Sequence, residues 1–184
     1  IGLSTSFTGE DSLDIAIDNG SGTQSPLGAT MGFDSGTPLV VDGVTYTFPV
    51  GGATMMVGDS TDLSALFTGA CVYSAFTDAT PDDCGTGNSL GVGGNGVTAS
   101  IGYTFDSGFS LAGGVSSTET AIMTKEGTDT YGVEAAYTAD TYGVAVAYVS
   151  NDKATAAETT YWGVNAFYNF DLASISVGVE TEET

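Results

Sequence analysis

Tyr131-Gly-Val-Glu-Ala-Ala-Tyr137, Tyr142-Gly-Val-Ala-Val-Ala-Tyr148 and Trp162-Gly-Val-Asn-Ala-Phe-Tyr168 are three versions of one pattern. Read with period 2, the first sets Tyr131, Val133, Ala135 and Tyr137 on one face and Gly132, Glu134, Ala136 and Thr138 on the other. The second and third repeat this: large apolar residues and rings on one side, small or polar residues on the other. A helix would need apolar residues at i, i+3 and i+4, which these segments lack. They are strands.

The same alternation extends outward in both directions. Val97, Ala99, Ile101, Tyr103 and Phe105 alternate with small residues, and after an Asp106-Ser107-Gly108 turn so do Phe109, Leu111 and Val115. Ala173, Ile175, Val177 and Val179 close the chain in the same way. Ile1, Leu3 and Phe7 open it, followed by Leu13, Ile15 and Ile17, then Val44, Tyr46 and Phe48. Residues 53–58 form a further strand, in which Met55 and Met56 blur the alternation. About eleven strands are expected, all antiparallel. From residue 43 onward short turns (49–52, 106–108, 139–141, 170–171) alternate with long polar connections (59–96, 118–129, 151–159). Up-and-down membrane barrels keep that parity and Greek-key sandwiches do not. Region 19–43 breaks it. The expected fold is therefore an all-β, antiparallel up-and-down β-barrel of the outer-membrane type, occupying residues 1–184 as part of a larger barrel. Against this, Tyr131 and Tyr137 are about 20 Å apart along a strand. With barrel tilt that leaves an apolar height of roughly 15 Å, below the ~25 Å between aromatic girdles.

Composition narrows function. The chain has 184 residues, 23 acids against 2 basic residues, no His and a net charge of −21. Nucleic-acid binding needs a basic footprint, so that class is excluded. The missing His removes Ser-His-Asp and Cys-His relays and His-based metal sites, and no enzymatic role is expected. Nine Tyr and nine Phe set the chain apart from disordered acidic proteins. No stretch of 18 apolar residues could form a membrane helix. Cys71 and Cys84 are expected to form a disulfide, closing a loop of about 14 residues for roughly 3 kcal/mol.

Candidate sites are few. Gly91-Val-Gly-Gly-Asn-Gly96 matches GxGxxG, but a strand follows where the dinucleotide motif needs a helix. Asp59 with Asp62, Asp82-Asp83, Glu10-Asp11 and Glu126 with Asp129 are loop acids that could offer oxygen ligands to Ca²⁺, though none has EF-hand spacing. A solvated acidic surface is the simpler reading. At a channel mouth such acids would concentrate cations and repel anions. Asp14, Asp18, Glu134, Asn165 and Asn169 share the face opposite the aromatics. In a barrel they line water; in a sandwich that face is the solvated outside and the aromatics are core. Glycines 102, 114, 132, 143, 163 and 178 fall on the same small face, as suits curvature or close backbone packing.

The opening LSTSFTGEDSLDIAIDNG, the later YTFPVGG with Gly58-Asp59, and the Cys71 to Cys84 loop resemble the barrel of cyanobacterial outer-membrane porins, often labelled iron-uptake or carbohydrate-selective porins. The resemblance implies a barrel of about sixteen strands in the lipid bilayer of the outer membrane. It also implies a homotrimer that passes small solutes or inorganic ions. Such proteins usually carry a surface-layer-homology domain and a coiled coil, to which nothing in residues 1–184 corresponds. The expected function is passive diffusion through a cation-preferring pore, with no cofactor beyond a candidate Ca²⁺. The alternative is a structural cell-surface protein, an adhesin or filament subunit. A carboxylate-based glycosidase would need two acids about 5–10 Å apart around a sugar.

Overall fold

The computed structural model describes residues 1–19, 39–71, 96–153 and 158–184. Ten strands form one antiparallel sheet in which every strand pairs with its neighbour in sequence. They are β1 (Gly2–Thr5), β2 (Ser12–Asn19), β3 (Leu39–Val50), β4 (Ala53–Asp59), β5 (Val97–Thr104), β6 (Phe109–Ser117), β7 (Thr128–Thr138), β8 (Tyr142–Lys153), β9 (Thr159–Asn169) and β10 (Ser174–Glu183). About eleven strands are expected, and the described residues hold ten. Among the described residues no pairing joins β1 to β10, so the sheet is open.

Turn chemistry explains the tight ends. Gly51 and Gly52 both take positive φ, as a two-residue hairpin turn with the twist of the flanking strands requires. Gly108, at φ 87°, closes the β5–β6 turn by donating its N–H to the Phe105 carbonyl at 3.0 Å. At the β1–β2 turn Asp11 does the work of several backbone bonds. Its Oδ1 accepts from Phe7 N–H (3.0 Å), Thr8 N–H (2.7 Å) and the hydroxyls of Ser6 and Thr8, and its Oδ2 accepts from Tyr46 (2.7 Å). The hydrogen bonds from Thr8, Ser6 and Tyr46 hold its carboxyl well below the usual carboxylate range.

The parity of the connections runs through the whole chain. Residues 6–11, 51–52, 105–108, 139–141 and 170–173 connect strands at one end, and 20–38, 60–96, 118–127 and 154–158 at the other. Region 19–43 conforms to this order, because β2 continues to Asn19 and β3 begins already at Leu39. A register shift between Ala16 and Ile17 interrupts the pairing there and hides the alternation from the sequence. The two methionines obey it too: Met56 is buried opposite Ser100, whereas Met55 pairs with Ile101.

Burial runs opposite to a soluble sheet. Ile101, Leu111, Val133, Val144, Val164 and Val177 lie exposed on the aromatic face. Rings gather there in two rows. Towards the short turns Phe109, Tyr137 and Tyr142 pack in series at 5.4 and 5.7 Å, and Tyr168 meets Phe170 at 4.6 Å. Towards the long connections Tyr148 packs on Trp162 at 4.8 Å. The core lies on the opposite, small-residue face. There Leu63 and Val149 pack with Phe67 and Tyr161, and Ala70, Ala136 and Ala145 pack with Phe167.

Candidate functional site

What covers the small face is the first part of the long β4–β5 connection. Residues 61–71 begin with a 3-10 turn, Leu63–Leu66, and run on as a strap across β5, β6, β7, β8 and β9. A chain crossing a sheet cannot join its ladder, so its backbone must find side chains. It does so in order. The Thr98 hydroxyl donates to the Thr61 carbonyl at 2.8 Å and the Ser100 hydroxyl to the Leu63 carbonyl at 2.7 Å. Thr68 N–H donates to Glu134 Oε1, and Ala70 N–H to Asn165 Oδ1, both at 2.6 Å.

The glycines of the small face make room for it. Gly114 and Gly132 are direct partners across β6 and β7. A Cβ on Gly114 would stand 2.8 Å from the Leu63 carbonyl oxygen, and one on Gly132 would stand 2.5 Å from Leu63 Cδ1. On β5 a Cβ at Gly102 would press on Leu66 at 3.3 Å. Three adjacent strands thus leave a groove, and Leu63, fully buried, fills it. Gly143 has a different neighbour, since a Cβ there would strike the Phe167 ring.

Glu134 and Asn165 sit beneath the strap, 4% and 1% exposed. Each holds the strap with one atom and leaves the other, Glu134 Oε2 and Asn165 Nδ2, without a hydrogen-bond partner among the described residues. Asp14 lies on the same face but far along the sheet, on β2 opposite Thr45, exposed and bonded to the Ser12 hydroxyl at 2.6 Å. Asn169 donates its amide to the Asp140 carbonyl at 2.7 Å, at the short-turn end. Asp18 pairs with Val40 through its backbone, and its side chain lies outside the described residues. The five candidates therefore share no single site; only Glu134 and Asn165 are joined, through the strap.

The loop acids are dispersed. Asp59 is exposed, Asp62 opens the strap, Asp82 and Asp83 lie outside the described residues, and Asp129 accepts a short hydrogen bond from the Ser117 hydroxyl. Among the described residues no three His, Cys, Asp or Glu side chains gather as a metal-binding group would require. Cys71 ends the strap, half-buried, while its expected partner Cys84 lies outside the described residues.

The strap itself is invisible to strand periodicity. Its one sequence signal is the apolar series Leu63, Leu66, Phe67 and Ala70 inside a connection that is otherwise polar, matched by small-face glycines on three successive strands. No known protein-family pattern matches the chain, and no curated protein matches it.

Proposed function

We propose that this chain is wall and constriction of an outer-membrane β-barrel channel that passes small solutes or inorganic ions by passive diffusion, with preference for cations. The carrying observation is the inverted burial: an apolar, ring-bordered face left bare and a small-residue face covered by the chain's own strap. Water would not leave such a face uncovered in a soluble sheet, whereas lipid would cover it at no cost. Strands β7, β8 and β9, of 11, 12 and 11 residues, have the length a tilted membrane strand needs. The strap narrows the space beside the wall, and acids at the long-connection end, among them Asp59, Glu158, Glu182 and Glu183, favour cations at the mouth.

The resemblance to cyanobacterial porins and their trimeric state belongs to the same reading. So does a Cys71–Cys84 disulfide anchoring the far end of the strap, supported by the lack of a free cysteine among the described residues. Reconstitution of the full-length protein in planar bilayers tests it. Cation-selective conductance is expected; no conductance, or anion preference, rejects it. The thin apolar band favours a second reading, a structural surface protein. From Trp162 to Tyr168 the rows stand about 20 Å apart along the strand, before any tilt. Solubility of the purified protein without detergent would support that alternative.

A further inference from the structure

Between the strap and the wall, on the short-turn side, lies a cavity of about 260 Å³. Thr54, Thr104 and Ser110 line it from the small face, Leu66 and Thr68 from the strap, and Gly102 opens its floor. No residue in the lining carries a charge. Ser110 is 6% exposed, and its hydroxyl has no hydrogen-bond partner among the described residues. A buried hydroxyl without a partner is costly, so such a group in a polar cavity marks a place that something else completes. Glu134 is not part of the lining, and across the β6–β7 pairing Ser110 stands opposite Ala136.

We propose that this cavity is a binding pocket for a small uncharged solute bearing several hydroxyl groups. Hydroxyls both donate and accept, so the Ser and Thr lining matches a ligand that does the same. An ion would be desolvated within a lining that carries no charge, which is unfavourable. The volume of about 260 Å³ lies below the ~300 Å³ at which pockets for drug-sized ligands begin, which limits the ligand to a smaller molecule. The proposal rests on the channel reading, in that the pocket opens on the face assigned to passing solutes.

Saturation-transfer NMR on the full-length protein in detergent micelles, with glycerol as the probe, tests the pocket without requiring conductance. A saturable glycerol signal is expected, weakened about fivefold in Ser110→Ala by loss of one hydrogen bond. Thr54→Val, at an exposed lining position, gives a second loss in case Ser110→Ala fails to fold. Ser176→Ala, on β10 and outside the lining, should leave binding unchanged. No saturable signal, which would mean that water alone fills the cavity, overturns the proposal. Equal weakening by Ser176→Ala overturns it too. Bilayer conductance of the same preparation keeps the two readings apart. Conductance without glycerol binding ends the pocket, and glycerol binding without conductance ends the channel while the pocket stands.

Discussion

The strands β5 to β9 and the strands β1 and β10 alternate large and small residues in the same way, yet their small faces meet opposite fates. Beneath the strap, Thr98, Ser100, Glu134, Ala145 and Asn165 are buried. On β10 the equivalent Ser174, Ser176 and Gly178 are exposed, as is every residue of β1. Alternation alone therefore does not say which face is inside. The difference is made by eleven residues of connection, 61–71, which convert one sector of a two-faced sheet into a packed interior.

If cover is what separates the sectors, removing it should make the first behave like the second. Leu63→Ala is the most severe test, because this side chain is fully buried in the glycine groove. A loss of about 2–5 kcal/mol is expected, read from the urea-unfolding midpoint in detergent. Gly114→Val attacks the same contact from the wall. Its Cβ would meet the Leu63 carbonyl, a backbone atom, so the strap must lift, at about 1–3 kcal/mol. Limited proteolysis should then cut near Leu66 and Phe67. Intact protection of that segment would show that the groove is not what seats it.

Glu134 allows a finer cut. Glu134→Ala leaves Thr68 N–H without an acceptor in a buried place, for about 1–3 kcal/mol, whereas Glu134→Gln keeps an oxygen for it and should cost less. Equal losses in the two variants, measured by thermal melting, would argue that packing rather than this hydrogen bond secures the strap. Away from the strap, the β1–β2 turn should respond to acid alone. The Asp11 carboxyl titrates below its ordinary value in the folded chain. Its contribution is therefore complete above the unfolded value of about 3.9 and is lost as pH falls from there toward the folded value. In Asp11→Asn the melting temperature should depend less on pH below about 4 than in the unaltered protein. Identical acid profiles would remove Asp11 as the cause.

Much of the wall was readable from residues alone. The repeated Tyr-Gly-Val segments became β7 and β8, the Trp162 segment became β9, and the Asp106-Ser107-Gly108 turn joins β5 to β6 as expected. These features are local: period-2 alternation and turn chemistry act between residues close in sequence. The strap was not readable, because nothing near residues 61–71 specifies that they lie on Gly114 and Gly132. That contact is written in strands 50 to 70 residues further on. The candidate residues show the same limit. Asp14, Glu134 and Asn165 share a face by alternation, but Glu134 and Asn165 come together only through a segment that alternation does not describe, and Asp14 stays apart on β2. Which face is covered was likewise open, since apolar-in and apolar-out sheets share one pattern.

The sequential strand order has a consequence for how the chain is made. Each strand pairs with its neighbour in sequence, so the wall can be assembled stepwise, with the larger entropic cost falling on the long connections 20–38 and 60–96. The strap is the exception, since its hydrogen-bond partners lie 37, 66 and 95 residues away. Its last anchor, Asn165, does not exist as a site until β9 has been laid beside β8. The strap is thus made early and seated late, and its seating acts as a record that the wall as far as β9 has been built in register.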